Sequence, residues 1–340
     1  MRGARAALVV VLLLGVAGIA AAGQMTLTRS GDLHRVAQVD GALMVTSVFA
    51  DGTVDEVMVP QSAAAVPSSL QVGVDEASGT LYVLWQRKTG MNAKLRFAAF
   101  VDGTWFGPTV IAGGDGTAAF NPQMLLHRAK TTITEPAVEG EDPVVTELAT
   151  TFVLLAWWSQ TSEEDPGVAR YASVPIGEDG LPRFEDMGSE ILSDLLPYGY
   201  ACFDLAATDN LKHPKLFLDP QSGNPYVFAT DLDYCVFHIL ELRPEVEVID
   251  DGFNKRRRHV VVLRSGPRIA LRKSLPLSTA KLEVGSGLRL IMHWDRDSEE
   301  KALLQYLELD AEGVSETKTL TLGEHLNHEQ AVELIRGLTR

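Results

Sequence analysis

The chain has 340 residues and a formal charge of −15. That acidic excess excludes a general nucleic-acid binder, which needs basic surface to displace counterions from phosphates, and suits neutral or cationic partners. The length allows one large β domain or two ordinary ones, and no Asn-x-Ser/Thr sequon occurs, so N-glycosylation is not expected.

Residues 1–22 read as a secretory signal. Arg2 and Arg5 form its positive end, Ala6 to Ala20 is an apolar run broken only by Gly15 and Gly18, and Ala20-Ala21-Ala22 is an A-x-A-like cleavage site before Gly23. The run is shorter than the roughly 20 residues that span a bilayer. The expectation is a cleaved, secreted or periplasmic protein with no stable membrane insertion.

Beyond this segment the chain repeats. The register mark is an acidic-Gly dipeptide, at Asp51-Gly52, Asp102-Gly103, Asp179-Gly180, Asp251-Gly252 and Glu312-Gly313. Asp-Gly between alternating apolar runs predicts a two-residue hairpin of type I′, whose central residues both need positive φ. In the first repeat the strand Leu43 to Phe49 lies between Asp40-Gly41 and Asp51-Gly52. The second opens at Pro67, turns at Ser78-Gly79, runs apolar from Leu81 to Trp85, and continues through Leu95 to Val101 and Trp105 to Ile111. The third has Pro122 to Leu126, an insertion from Lys130 to Thr150 read as an extended excursion, the apolar run Phe152 to Trp158, and Val168 to Ile176. The fourth has Pro214 to Leu218, Ser222-Gly223, Tyr226 to Ala229 and Cys235 to Leu242, with extra length around Arg256 to Leu277. The fifth has Ser286-Gly287, Leu288 to Trp294, Leu303 to Leu309 and Thr317 to Leu322. Unbroken apolar runs predict strands buried on both faces, and each Pro is expected at a strand's first position, where no ladder donor is needed.

Four strands per repeat and five repeats predict an all-β fold, a five-bladed β-propeller of four-stranded blades. Its domain is placed at residues 23–326, with units roughly 25–62, 66–114, 120–193, 212–266 and 278–323. The extra length in the fourth repeat leaves a degenerate sixth blade as the alternative. The helical spacing of Ala331, Leu334, Ile335 and Leu338 predicts a short C-terminal helix in the tail 327–340.

The order Pro-x-apolar, Ser-Gly, apolar run ending in Trp, then Asp102-Gly103-Thr104-Trp105 resembles the sialidase-like propellers with BNR or Asp-box repeats. Of that family's Ser-x-Asp-x-Gly-x-Thr-Trp box only the tail stands here. The resemblance implies pockets on the face that carries the connections between second and third strands. It also implies sialidase chemistry, for which Arg87, Arg170, Arg264 and Arg296 are available but not singled out by position.

The connections on that face are Gln86 to Lys94, Ser159 to Gly167, Thr230 to Tyr234 and Asp295 to Lys301, joined by the long link Ser193 to Leu211. The candidate ligand-binding residues are Trp85, Trp158, Tyr198, Tyr200, Asp204, His213, Asp231, Asp233, Trp294 and Asp295. Carboxylates beside aromatic platforms suit carbohydrate, whether bound or hydrolysed. Cys202 and Cys235 fall near the same face and are the expected disulfide. Asp231-x-Asp233 and Asp295-x-Asp297 offer oxygen ligands to Ca²⁺, but neither matches the Asp-x-Asp-x-Asp-Gly loop, and no cofactor is expected. The histidines have no zinc-site spacing, and serine-hydrolase and phosphate-loop motifs do not occur. The basic island from Lys255 to Lys273 reads as a charged strand edge. The leading expectation is non-catalytic binding of a carbohydrate or protein ligand at the loop face. A glycoside hydrolase using Asp204, Asp231, Asp233 and Asp295 is the alternative, and a structural assembly module using 130–150 is the third.

Overall fold

The apolar runs become strands of five sheets in the computed structural model, which describes residues 24–114, 116–135, 144–164, 167–191, 214–218, 223–231, 236–250, 255–270, 277–284, 288–294, 303–310, 313–314 and 318–321. The chain divides into two compact units, Met1–Ser189 and Glu190–Arg340. Among the described residues there is no α-helix; the signal segment 1–22 and the tail 327–340 lie outside them.

In the first unit, β1 (Gln24–Leu27), β2 (Leu33–Val39), β3 (Ala42–Val48) and β4 (Val54–Met58) form one sheet in sequence order. The second sheet is β5 (Gln71–Asp75), β6 (Thr80–Arg87), β7 (Lys94–Val101) and β8 (Thr104–Ala112). The third is β9 (Ala118–Glu135), β10 (Val144–Gln160), β11 (Val168–Pro175) and β12 (Gly188–Ile191). The second unit carries β13 (Lys215–Leu218), β14 (Pro225–Asp231), β15 (Val236–Asp250) and β16 (Lys255–Ala270) in a fourth sheet. A fifth sheet has β17 (Leu277–Val284), β18 (Leu288–Trp294) and β19 (Leu303–Asp310), with β20 (Gly313–Val314) and β21 (Lys318–Thr321) both pairing β19. Each is an antiparallel meander, the connectivity that short turns between alternating runs produce.

The acidic-Gly dipeptides close hairpins by two geometries. Asp40-Gly41 and Asp102-Gly103 have positive φ at both residues, as type I′ turns require. Asp51-Gly52 and Asp179-Gly180 do not, because only their glycines are in the left-handed region. One more residue enters each of these loops, so Phe49 N–H donates to Thr53 C=O at 2.9 Å and Gly52 N–H to Phe49 C=O at 2.9 Å. That is the three-residue hairpin in which the left-handed residue follows an ordinary turn.

Two of the strand-opening prolines sit differently from expectation. Pro67 starts a short 3-10 turn, Pro67–Ser69, ahead of β5. Pro122 lies inside β9, beside Asn121 at φ 49° and at a register break opposite Trp157. A bulge leaves a residue unpaired, so the missing N–H costs the ladder nothing there. Pro214 does precede β13. The insertion in the third repeat is a paired arm, with Thr131 to Glu135 against Val144 to Leu148. The extra length of the fourth repeat is likewise β16, paired with β15 from Arg256↔Ile249 to Ala270↔Val236. β16 is the edge strand of its sheet, and its basic run carries cross-strand ion pairs, Arg258 to Glu247 at 2.8 Å and Arg264 to Glu245.

The core of the first unit follows from period-two alternation along β6. Leu81, Val83 and Trp85 join Val36, Leu43 and Val45 of the first sheet, while Tyr82 and Leu84 join Val153, Leu155, Ala172 and Val174 of the third. The second sheet is therefore buried on both faces, which is why β6 reads as an unbroken apolar run. Tyr82 also donates its hydroxyl to Gly180 C=O at 2.7 Å, satisfying the polar tip of a fully buried ring.

His34 sets a pH limit on this unit. It is buried, its Nδ1 lies 2.8 Å from Ser47 Oγ, and burial lowers its pKa from 6.5, against a smaller opposing pull from Asp32. The folded chain thus holds His34 neutral while the unfolded chain protonates it near pH 6.5. Stability is full above that pH and declines as pH falls towards the depressed folded value, by at most about 1.4 kcal/mol per pH unit for each proton taken up. His127 and His259 are shifted the same way by burial. Urea midpoints should fall between pH 7 and 5, and His34→Gln should flatten that slope; an unchanged slope would remove His34 from the account.

Candidate functional site

Local sequence builds a recess where β6 passes to β7. β6 ends on Arg87, Lys88 follows in the left-handed region at φ 65°, and a 3-10 turn, Gly90–Asn92, leads into Lys94 at the head of β7. The register pairs Arg87 with Lys94 and Trp85 with Arg96, and on the next strand Arg96 with Val110. Cross-strand partners share a face. Trp85, Arg87, Lys94 and Arg96 therefore lie on the face whose inner part, Val83 and Ala98, packs against the first sheet. Arg87, Lys88, Asn92, Lys94, Arg96 and Val110 line a cavity of about 210 Å³.

Backbone ties hold this connection. Lys88 N–H donates to Ala64 C=O at 3.1 Å and Val66 N–H to Gln86 C=O at 2.9 Å. The Gln86 amide donates to Lys88 C=O at 3.0 Å and accepts from Asn121 N–H at 3.1 Å. At the start of β7, Ala119 N–H donates to Ala93 C=O at 3.1 Å. Gly113 stands so close to that carbonyl that a Cβ on it would lie 2.4 Å from the oxygen.

The electrostatics are one-sided. Among the described residues the lining has four cations and no carboxylate, on a chain of charge −15. Among the described residues, Lys130, Arg183, Arg258 and Arg264 each have a carboxylate partner, whereas none of these ion pairs involves the recess. Arg87 Nε and Arg96 Nε are buried without a hydrogen-bond partner, as is Trp85 Nε1. Burial lowers the pKa of Arg96, and the neighbouring positive charge of Arg87 pushes it the same way. Two half-buried guanidinium groups with two exposed lysines beside them are a crowd of like charge that a bound anion would relieve.

Of the residues singled out from sequence, Trp85 lies on the face that carries this recess, with its ring fully buried in the cluster between the first and second sheets. Trp158 is buried in β10, and the positive φ of Gly167 belongs to its tight approach, a Cβ there falling 2.3 Å from Trp158 Nε1. Asp231 ends β14, paired with Val236, and Trp294 ends β18, paired with Leu303. Tyr198, Tyr200, Asp204, His213, Asp233, Asp295, Cys202 and Cys235 lie outside the described residues. Arg87 was available to the sequence reading as one of four unselected arginines. Lys88, Asn92 and Lys94 belong to the expected loop-face connection Gln86 to Lys94, and Arg96 and Val110 to the strands Leu95 to Val101 and Trp105 to Ile111, without being singled out. The signal for them was present as cations flanking both sides of one short connection, Arg87-Lys88 before it and Lys94-x-Arg96 after it. Among the described residues no three His, Cys, Asp or Glu side chains gather as a metal centre would require.

No family model matches this chain, and no curated protein matches it. Among solved structures it is similar to the GH43 endo-arabinanase from Bacillus licheniformis, at 11% identity and a TM-score of 0.31, over 86% of this chain and 96% of that one. That likeness is too distant to carry chemistry from one chain to the other.

Proposed function

We propose that the chain is an exported binding protein, a five-bladed β-propeller over residues 23–326, that takes a carbohydrate or protein ligand without catalysis where β6 passes to β7. The observation that carries the reading is the recess itself. Arg87, Lys88, Lys94 and Arg96 line it, with the Asn92 amide beside them, and no carboxylate is among its described lining residues. Glycoside hydrolysis needs two carboxyl groups across the scissile bond, one to donate a proton and one to attack or to activate water. This lining supplies hydrogen-bond donors and charge, which hold a ligand but offer no acid and base pair at neutral pH. The succession of four-stranded meanders supports the propeller, and the positive end, apolar run and small-residue cleavage site of residues 1–22 support export.

The test is a glycan array and a pull-down from the envelope fraction with the mature chain, alongside incubation with a panel of chromogenic glycosides. Saturable capture without product release is the expected result. Turnover that survives repeated purification and vanishes on substitution of a carboxylate would replace binding by hydrolysis. Silence in all assays would overturn the ligand reading.

A further inference from the structure

We infer that the recess between β6 and β7 is an oxyanion site, built to take a carboxylate, sulfate or phosphate group of an acidic ligand. This deepens the binding reading and rests on it for the ligand as a whole, but the anion chemistry stands on separate observations.

The first is the absence of compensation. Arg87 and Arg96 bring their guanidinium groups to one sheet face through the pairs Arg87↔Lys94 and Trp85↔Arg96, and Lys94 adds an ammonium group beside Gly114. In a chain with 45 acidic and 30 basic side chains, four cations share one small cavity of about 210 Å³ with no acid among its described lining residues, the opposite of the bulk composition. The second is orphaned donors. Buried N–H groups are nearly always paired, and each one that is not calls for an explanation. Here Arg87 Nε and Arg96 Nε are unpaired, and both arginines line the recess. An oxyanion has several lone pairs and one or more negative charges, so it can accept from converging guanidinium and ammonium groups at once. The third is rigidity. Lys88 is held in the left-handed region, where a non-glycine residue persists only if its surroundings enforce it. The ties from Ala64 and Gln86 do so. A site fixed in advance loses less freedom on binding.

The test uses the mature chain and three simple probes, inorganic sulfate, inorganic phosphate and glucuronate, with glucose as the neutral match for the last. Sodium chloride at equal ionic strength controls for screening. Titration calorimetry and the thermal midpoint are the readouts. We expect at least one oxyanion to bind saturably where chloride and glucose do not. The double variant Arg87→Gln, Arg96→Gln should weaken it roughly tenfold or more, and Lys94→Gln, at an exposed position, by less. Arg258→Gln, which removes a paired cation on β16, should leave it unchanged. Because removing one of several crowded like charges relieves repulsion, Arg96→Gln should not lower the thermal midpoint of the unliganded chain; a merely structural arginine would lower it.

The preferred oxyanion separates the sources, glucuronate over glucose marking a sugar acid and sulfate or phosphate marking an ester. Absence of saturable binding for all three probes overturns the inference, as does binding that Arg87→Gln, Arg96→Gln and Lys94→Gln leave untouched. Capture of a neutral glycan indifferent to these variants would leave the binding reading standing and the oxyanion site refuted. Oxyanion binding without capture of any polymer would do the reverse.

Discussion

Replacing Trp85 by Ala should destabilise the first unit by about 3–5 kcal/mol, the range for deleting a fully buried aromatic side chain. Trp85 has no solvent exposure and stands in β6, the strand whose two faces are both covered. Its ring packs in the cluster that Val36, Leu43 and Val45 of the first sheet share with Val72 and Val83 of the second. Truncation therefore removes contacts between two sheets and leaves a void that neither can close alone, since each is held by its own ladder. Trp85→Phe should cost distinctly less. It keeps most of the buried area, and the indole N–H it removes has no partner to lose. Urea unfolding followed by far-ultraviolet circular dichroism is the measurement, with the two compact units allowed separate transitions. A loss below about 1 kcal/mol for Trp85→Ala would mean that the first and second sheets do not depend on each other's packing.

How much of this was legible in the sequence depended on the range of the physics involved. Hairpins were legible because a left-handed residue is a local demand, met by Gly41, Gly52, Gly103 and Gly180. The loop type was not, because one residue more, Ala50 or Glu178, changes which residue must be left-handed without disturbing the Asp-Gly signature. β6 and the buried half of β10 were legible because burial on both faces suppresses alternation. The outer half of β9 and β10 was not, because Val144 and Val145 are exposed and that arm has no core side to impose a pattern. The recess was hidden for another reason. Arg87 and Arg96 are nine positions apart and become neighbours only through the register of β6 on β7, which the sequence does not display. The carboxylates of the acidic loops are the more conspicuous chemistry in the sequence. Trp85 and Arg87 stand out separately in the sequence, the one by its aromatic ring and the other by its charge.

That register should be open to attack from behind, at Gly113. Gly113→Ala is expected to destabilise the first unit by roughly 3 kcal/mol, and to weaken oxyanion binding in whatever fraction stays folded. The residue has φ 83°, where an L side chain costs on the order of 1–2 kcal/mol through its own Cβ. The remainder comes from contact. A Cβ at Gly113 would lie 2.4 Å from Ala93 O and 3.0 Å from Lys94 Cα, both backbone atoms that cannot swing aside as a side-chain tip would. To make room, Ala93 must shift, and with it the 3.1 Å bond from Ala119 N–H and the start of β7 that carries Lys94 and Arg96. Gly103→Ala is the control that separates the two contributions. Gly103 has φ 78° but open space around it, so it should show the conformational cost alone, about 1–2 kcal/mol, with oxyanion affinity unaltered. If the two variants prove equally destabilising, backbone contact behind the recess contributes nothing. If Gly113→Ala loses stability but keeps full affinity, the positions of Lys94 and Arg96 do not depend on the Ala93 carbonyl.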